Sequence, residues 1–136
     1  MEFKVDGDPI PLKRHRTTHL GHRYDPSAKD KAEWIKKTTL PTIPFNDPLI
    51  IHLEFVFSRP KKHFRSGRFS KELRSDAPIY HTKTPDLDNL VKFCLDAMNK
   101  YFYRDDALVF NLNASKRFCN NEEPPHTKIA IRTLDT

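Results

Sequence analysis

Four carboxylates carry most of the chemistry that this sequence offers. Asp86 and Asp88 stand two residues apart and Asp105 and Asp106 side by side, at the two ends of the stretch from Thr84 to Asp106. In a chain of net charge +6, acids gathered in this way point to something positive that they bind. Carboxylates are hard oxygen donors, and magnesium near a phosphate takes one or two of them together with water and phosphate oxygens. A metal held there can activate a water and stabilise the charge that builds on a scissile phosphate. Lys92, one turn after Asp88, is spaced to contact that phosphate or the leaving oxygen. Each part also has a plainer reading. Asp86 alone is a helix cap, Asp105-Asp106 alone a solvated turn, and Lys92 alone an ion-pair partner of Asp88 or Asp96. The combination of Asp-x-Asp-Asn-x-x-Lys with a following Asp-Asp is more specific than any of its parts.

The acids need an element to position them. Leu87, Leu90, Val91, Cys94, Leu95 and Met98 recur at helical spacing, which predicts a helix after Pro85 with Asp86 as N-cap. Asp88, Lys92 and Asp96 fall on its opposite face. A connector turning back along that helix would bring Asp105 and Asp106 to the first pair. Leu49–Phe57, apolar at every odd position, predicts a strand near the middle of a sheet. Shorter strands are expected around Phe3 and Val5, from Leu108 to Lys116, and from Lys128 to Leu134 as a closing edge strand. A first helix is expected from Ala28 to Thr38, with Ser27 as cap, Ala32 and Ile35 on its apolar stripe and Trp34 on the flank. The expectation is an α/β (α+β-like) fold: a small mixed β-sheet of about four strands packed with two main helices, in one domain spanning residues 1–136.

The charge is not spread evenly. Residues 1–85 hold 17 Lys/Arg against 10 Asp/Glu, and residues 86–136 hold 7 against 8. The excess sits in an extended arm at 9–26, with Lys13, Arg14, Arg16 and Arg23, and in a long loop at 59–84, with Lys61, Lys62, Arg65 and Arg68. This is the footprint of a polyanion binder. The long loop reads as structureless and mobile without its ligand, with Phe64 or Phe69 able to wedge against unpaired bases. His15, His19 and His22 match no familiar zinc spacing. No apolar run is long enough to span a bilayer, the first residues lack the order of a signal peptide, and two cysteines make no disulfide framework. A cytoplasmic protein is expected, nucleoid-associated or acting in a phage- or virus-infected cell, and not secreted.

Pro85-Asp86-Leu87-Asp88-Asn89-Leu90-Val91-Lys92, then Leu95-Asp96-Ala97-Met98, then Asp105-Asp106-Ala107 resembles the signature of RusA-type Holliday-junction resolvases. The opening from Gly7 to Arg16, followed by Tyr24, is similar to the N-terminal Gly-x-Pro and basic arm of that family. The likeness touches residues 3–28 and 84–118. It implies a homodimeric, Mg2+-dependent endonuclease, with Mn2+ able to substitute, that nicks four-way DNA junctions symmetrically. By position, Asp86 and Asp88 match the first two catalytic aspartates and Asp106 the third. Lys92 matches the helix lysine and Lys116 a basic residue of the next strand, expected to bind DNA, while Asn89 and Asp96 match positions that would support the site. Periodicity does not choose between Asp105 and Asp106; the resemblance alone selects Asp106. The remaining readings are a nuclease for flaps, forks or RNA-containing duplexes, and a DNA-binding protein without catalysis.

Overall fold

A computed structural model describes residues 1–14, 16–120 and 122–134 of the chain. Six strands and two α-helices follow in the order β1 (Glu2–Asp6), β2 (Arg16–Thr17), β3 (Arg23–Tyr24), α1 (Ala28–Lys36), β4 (Leu49–Phe57), α2 (Leu87–Met98), β5 (Val109–Phe118) and β6 (His126–Thr133). Four of the strands form one mixed sheet in the order β1-β6-β4-β5, while β2 and β3 pair with each other in the arm. The expected class and the two main helices are present.

Strand β4 is the centre of the sheet. It runs parallel to β5 and antiparallel to β6. Its odd residues Leu49, Ile51, Leu53, Phe55 and Phe57 are all buried, as their alternation requires. Strand β6 was expected to close an edge and instead lies between β1 and β4. The reason is non-local: β1 pairs with it from Glu2 opposite Ala130 to Asp6 opposite His126, and Gly7 N–H donates to the Pro125 carbonyl at 3.0 Å. With both flanks paired, Ile129 and Ile131 are fully enclosed.

Helix α2 packs Leu90, Phe93, Cys94, Ala97 and Met98 into the core. Helix α1 docks through Trp34, which is buried and meets Phe93 edge-on with ring centroids 6.2 Å apart. Ala32, expected on the apolar stripe, is exposed. The large indole has the most apolar surface to gain by burial, so it sets the face that α1 presents. Ser27 stands at the N-cap position but makes no side-chain capping bond. Its hydroxyl accepts from Lys13 N–H at 2.8 Å, tying the arm to the helix start.

The 59–84 segment is not structureless. It holds single 3-10 turns at Lys61–His63 and Gly67–Phe69 and a bridge between Phe64 and Leu73. The Arg59 guanidinium fastens its base, donating to the Cys119 and Pro78 carbonyls at 2.7 Å each. Among the described residues no helix is long and apolar enough to cross a membrane.

Candidate active site

The start of α2 presents the first two acids. Asp86 occupies the N-cap in extended backbone geometry, and its carbonyl accepts from Leu90 N–H at 3.2 Å. Its carboxylate makes no capping hydrogen bond and is exposed. Asp88, also exposed, meets the Lys92 ammonium at 3.7 Å. Two carboxylates and one cation thus stand on the solvent side of the first turns of α2, over a helix face locked into the core. The pair Asp88–Lys92 is two-thirds exposed on both sides, so its attraction is weak and both groups are free to take other partners.

Lys116, on β5, fixes the strap that leads into this site. Its ammonium donates to the carbonyls of Lys83 and Pro85, each at 2.8 Å. The residue expected to face DNA is therefore engaged in holding the backbone before Asp86. The arm comes alongside as well: Leu12 N–H donates to the Asn89 carbonyl at 3.0 Å. Asn89 thus meets the arm through its backbone, and Lys13 and Arg14 follow directly on this contact.

The second pair of acids stays at the other end of α2. Phe102 and Tyr103 are fully buried, and the Tyr103 hydroxyl donates to the Leu95 carbonyl at 2.7 Å. This pins the connector beside the last turn of the helix, where the Asn99 side chain accepts from Asp106 N–H at 3.1 Å. The helix between the pairs is about 18 Å long at 1.5 Å per residue, and the connector does not turn back along it. Among the described residues no three His, Cys, Asp or Glu side chains gather closely enough to hold a metal ion by themselves. The chemistry of Asp86 and Asp88 nevertheless suits magnesium, which binds through one or two carboxylates beside a phosphate.

Asp105 and Asp106 differ in their occupation. The Asp105 carboxylate caps a 3-10 turn (Asp106–Leu108), accepting from Ala107 N–H at 2.9 Å. That bond, and then the hydrogen bond with Asp106, hold its carboxyl below the usual range. Asp106 is pushed the other way, by partial desolvation first, then by the hydrogen bond and charge of Asp105 and the charge of Asp96. Crowded acids of this kind favour the approach of a cation. Asp96 itself meets Lys31 of α1 at 3.7 Å.

A family model described as endodeoxyribonuclease RusA matches residues 6–132, nearly all of these elements and every acid of the site. The chain belongs to the RusA family. It is also similar to a protein of Bacillus subtilis (strain 168) named uncharacterized protein YqaN, with 27% identity over 141 residues that cover 98% of this chain and 96% of that one. RusA membership makes the protein an endodeoxyribonuclease and implies Holliday-junction resolvase activity on branched DNA, generally with Mg2+.

On this RusA-family chain the basic residues divide by how far they are engaged. Lys13 meets Asp30 at 3.6 Å, and Arg14, Arg23, Lys61 and Lys62 are exposed. The side chain of Arg16 and the whole of His15 lie outside the described residues. Arg65 pairs with Glu72 at 2.6 Å and lies 4.1 Å from the Phe69 ring centroid, with Arg68 at 4.8 Å from the same ring. Phe69 is thus clasped by guanidinium groups, and Phe64 is half-buried in its bridge. Sequence reasoning missed His63 and His81. Both stand among aromatic rings of the core margin, and nothing in their spacing marks them.

Proposed function

We propose that this RusA-family protein is a homodimeric, Mg2+-dependent endonuclease that resolves four-way DNA junctions by paired symmetric nicks. The observation that carries the assignment of residues is Asp86, an exposed carboxylate at a helix cap position that does no capping, with Asp88 beside it. These two would hold the metal, which supplies water activation and charge neutralisation at the scissile phosphate. Of the second pair, Asp106 is the acid open to a cation, since capping already engages Asp105; held at the other end of α2, it does not share one metal with Asp86 and Asp88 within a single copy. Lys92 is free to leave its weak pair with Asp88 and take a phosphate oxygen. Lys116 positions Asp86 through the strap, and Asp96 and Asn89, both on α2, tie that helix to α1 through Lys31 and to the arm through Leu12. Lys13, Arg14, Arg16 and Arg23 of the arm, with Lys61, Lys62, Arg65 and Arg68 of the loop, neutralise phosphates of the junction arms.

Pairing of two copies is supported by β5. It is an edge of the sheet, bridged near its end between Tyr80 and Arg117, and it leaves Phe110 and Leu112 exposed at 55% and 39%. Apolar side chains on an open edge strand invite a partner. A substrate panel of junction, fork, flap and plain duplex in magnesium, run beside sedimentation of the protein, tests the reading. The junction should be cut far faster than the others by a dimer; equal cutting of all four, or resolution by a strict monomer, contradicts it.

A further inference from the structure

A cavity of about 730 Å³ opens between the 59–84 segment and the ends of β4 and β5. It lies outside the acid sites, yet its wall includes Lys83 and Thr84, the residues that lead directly into Asp86. We propose that this cavity seats the base of an unpaired nucleotide of the branched DNA, with the adjoining phosphate held by Lys62 and Lys83. The proposal rests on the reading of the chain as a nuclease of branched DNA and names a second binding element for that substrate.

The floor is aromatic. His81 lies stacked on Phe57 with ring centroids 4.2 Å apart and tilts against Phe118 at 4.9 Å. His63 meets the other side of Phe118 edge-on at 4.6 Å. His81 is the half-buried ring of the group, backed by the buried Phe57, Phe118 and His63, and a ring so placed can take a base of any kind, since every base carries a π surface. Among the described residues the buried His81 Nδ1 atom has no hydrogen-bond partner. Burial first, then the charge of Lys116, lower the titration of His81, against an opposing pull from the His81 and Lys83 backbone.

The rim is cationic. Lys62 and Lys83 have no ion-pair partner among the described residues, while the acids that face the cavity are engaged. Asp8 accepts from Ser58 N–H and from its hydroxyl at 2.9 Å each, and Asp76 pairs with Arg74 at 3.1 Å. Arg59 lies 5.4 Å from the Phe118 ring centroid and anchors the wall through its carbonyl contacts. The volume falls in the range of clefts for single small ligands, enough for a nucleotide and too narrow for a duplex. Thr84 and Asp86 are two residues apart, at most roughly 7 Å of chain, so a strand seated here would run within a short step of the acids. Lys116 clamps both, holding the Lys83 and Pro85 carbonyls together.

The test uses the full-length protein without metal, a thymidine tetranucleotide, and an abasic tetranucleotide of the same length. Titration should move the ring resonances of His81 and His63 in the NMR spectrum, and the abasic chain should bind about tenfold more weakly. His81→Leu, checked for folding by circular dichroism, should lose about tenfold in tetranucleotide affinity, whereas Ala32→Ser on the exposed side of α1 should bind as the wild type does. Unmoved histidine resonances, equal affinity for the abasic chain, or wild-type affinity in folded His81→Leu would overturn the proposal. Junction cleavage in magnesium, measured in parallel, separates the two claims: cutting without these effects removes only the cavity, and these effects without cutting remove only the nuclease reading.

Discussion

At the scale of single residues, Asp86 departs from the habit of its position. An N-cap aspartate ordinarily accepts from the first turn of its helix, and this carboxylate does not. Lys116 departs from the opposite expectation, since its ammonium is taken up by two carbonyls of the strap. Lys116→Met should slow junction cleavage by roughly tenfold to a hundredfold, the usual range when a group that orients a metal site is lost. The salt dependence of junction binding should stay unchanged, whereas Lys62→Ala should reduce its slope by about one. A reduced slope in Lys116→Met would make it a phosphate contact after all. Glu123 gives a prediction on stability. The bidentate bond with Arg117, at 2.6 and 2.9 Å, lowers its carboxyl from the ordinary value to about 2. A depressed acid stabilises the fold above its unfolded pKa, and that contribution is lost as pH falls through the folded one. Glu123→Gln should cost about 1–3 kcal/mol near pH 7. The gap in melting temperature should narrow below pH ~4.5 and close near pH 2; a gap constant across that window would contradict the assignment.

At the scale of elements, α1 depends on one side chain. Trp34 is its buried residue, set edge-on against Phe93 of α2. Trp34→Ala should destabilise the protein by about 3–5 kcal/mol, read by denaturant unfolding, while Ala32→Ser should leave stability within about 0.5 kcal/mol. The apolar period of α2 was legible in the sequence, because a helix buried on one side repeats its apolar residues locally. Phe93 and Ala97 escaped that reading: they widen the stripe beyond the spacing that Leu90, Cys94 and Met98 announce. Trp34 escaped because its neighbours Ala32 and Ile35 offered a plausible stripe of their own, and only the position of α2 decides between them. The 59–84 segment escaped because its order comes from Arg59 reaching distant carbonyls and from His81 entering the rings of Phe57 and Phe118, none of it periodic.

At the scale of the whole molecule, the sheet class was legible and its order was not. The alternation in β4 announces burial on both flanks, but the placement of β6 inside the sheet depends on β1 returning from the far end of the chain. The same limit applies to the site. The acids and their spacing were visible at once. The position of the second pair was not visible, because the burial of Phe102 and Tyr103 holds Asp105 and Asp106 beside the last turn of α2. The central claim is that Asp88 belongs to the metal-holding pair and not to a solvated helix face. It is tested most directly by cleavage of a synthetic four-way junction in magnesium by Asp88→Asn. Because loss of a mere supporting group costs a metal site about 10–100-fold, loss of this carboxylate should cost more than about a hundredfold, with junction binding retained. Cleavage at the wild-type rate would contradict the account.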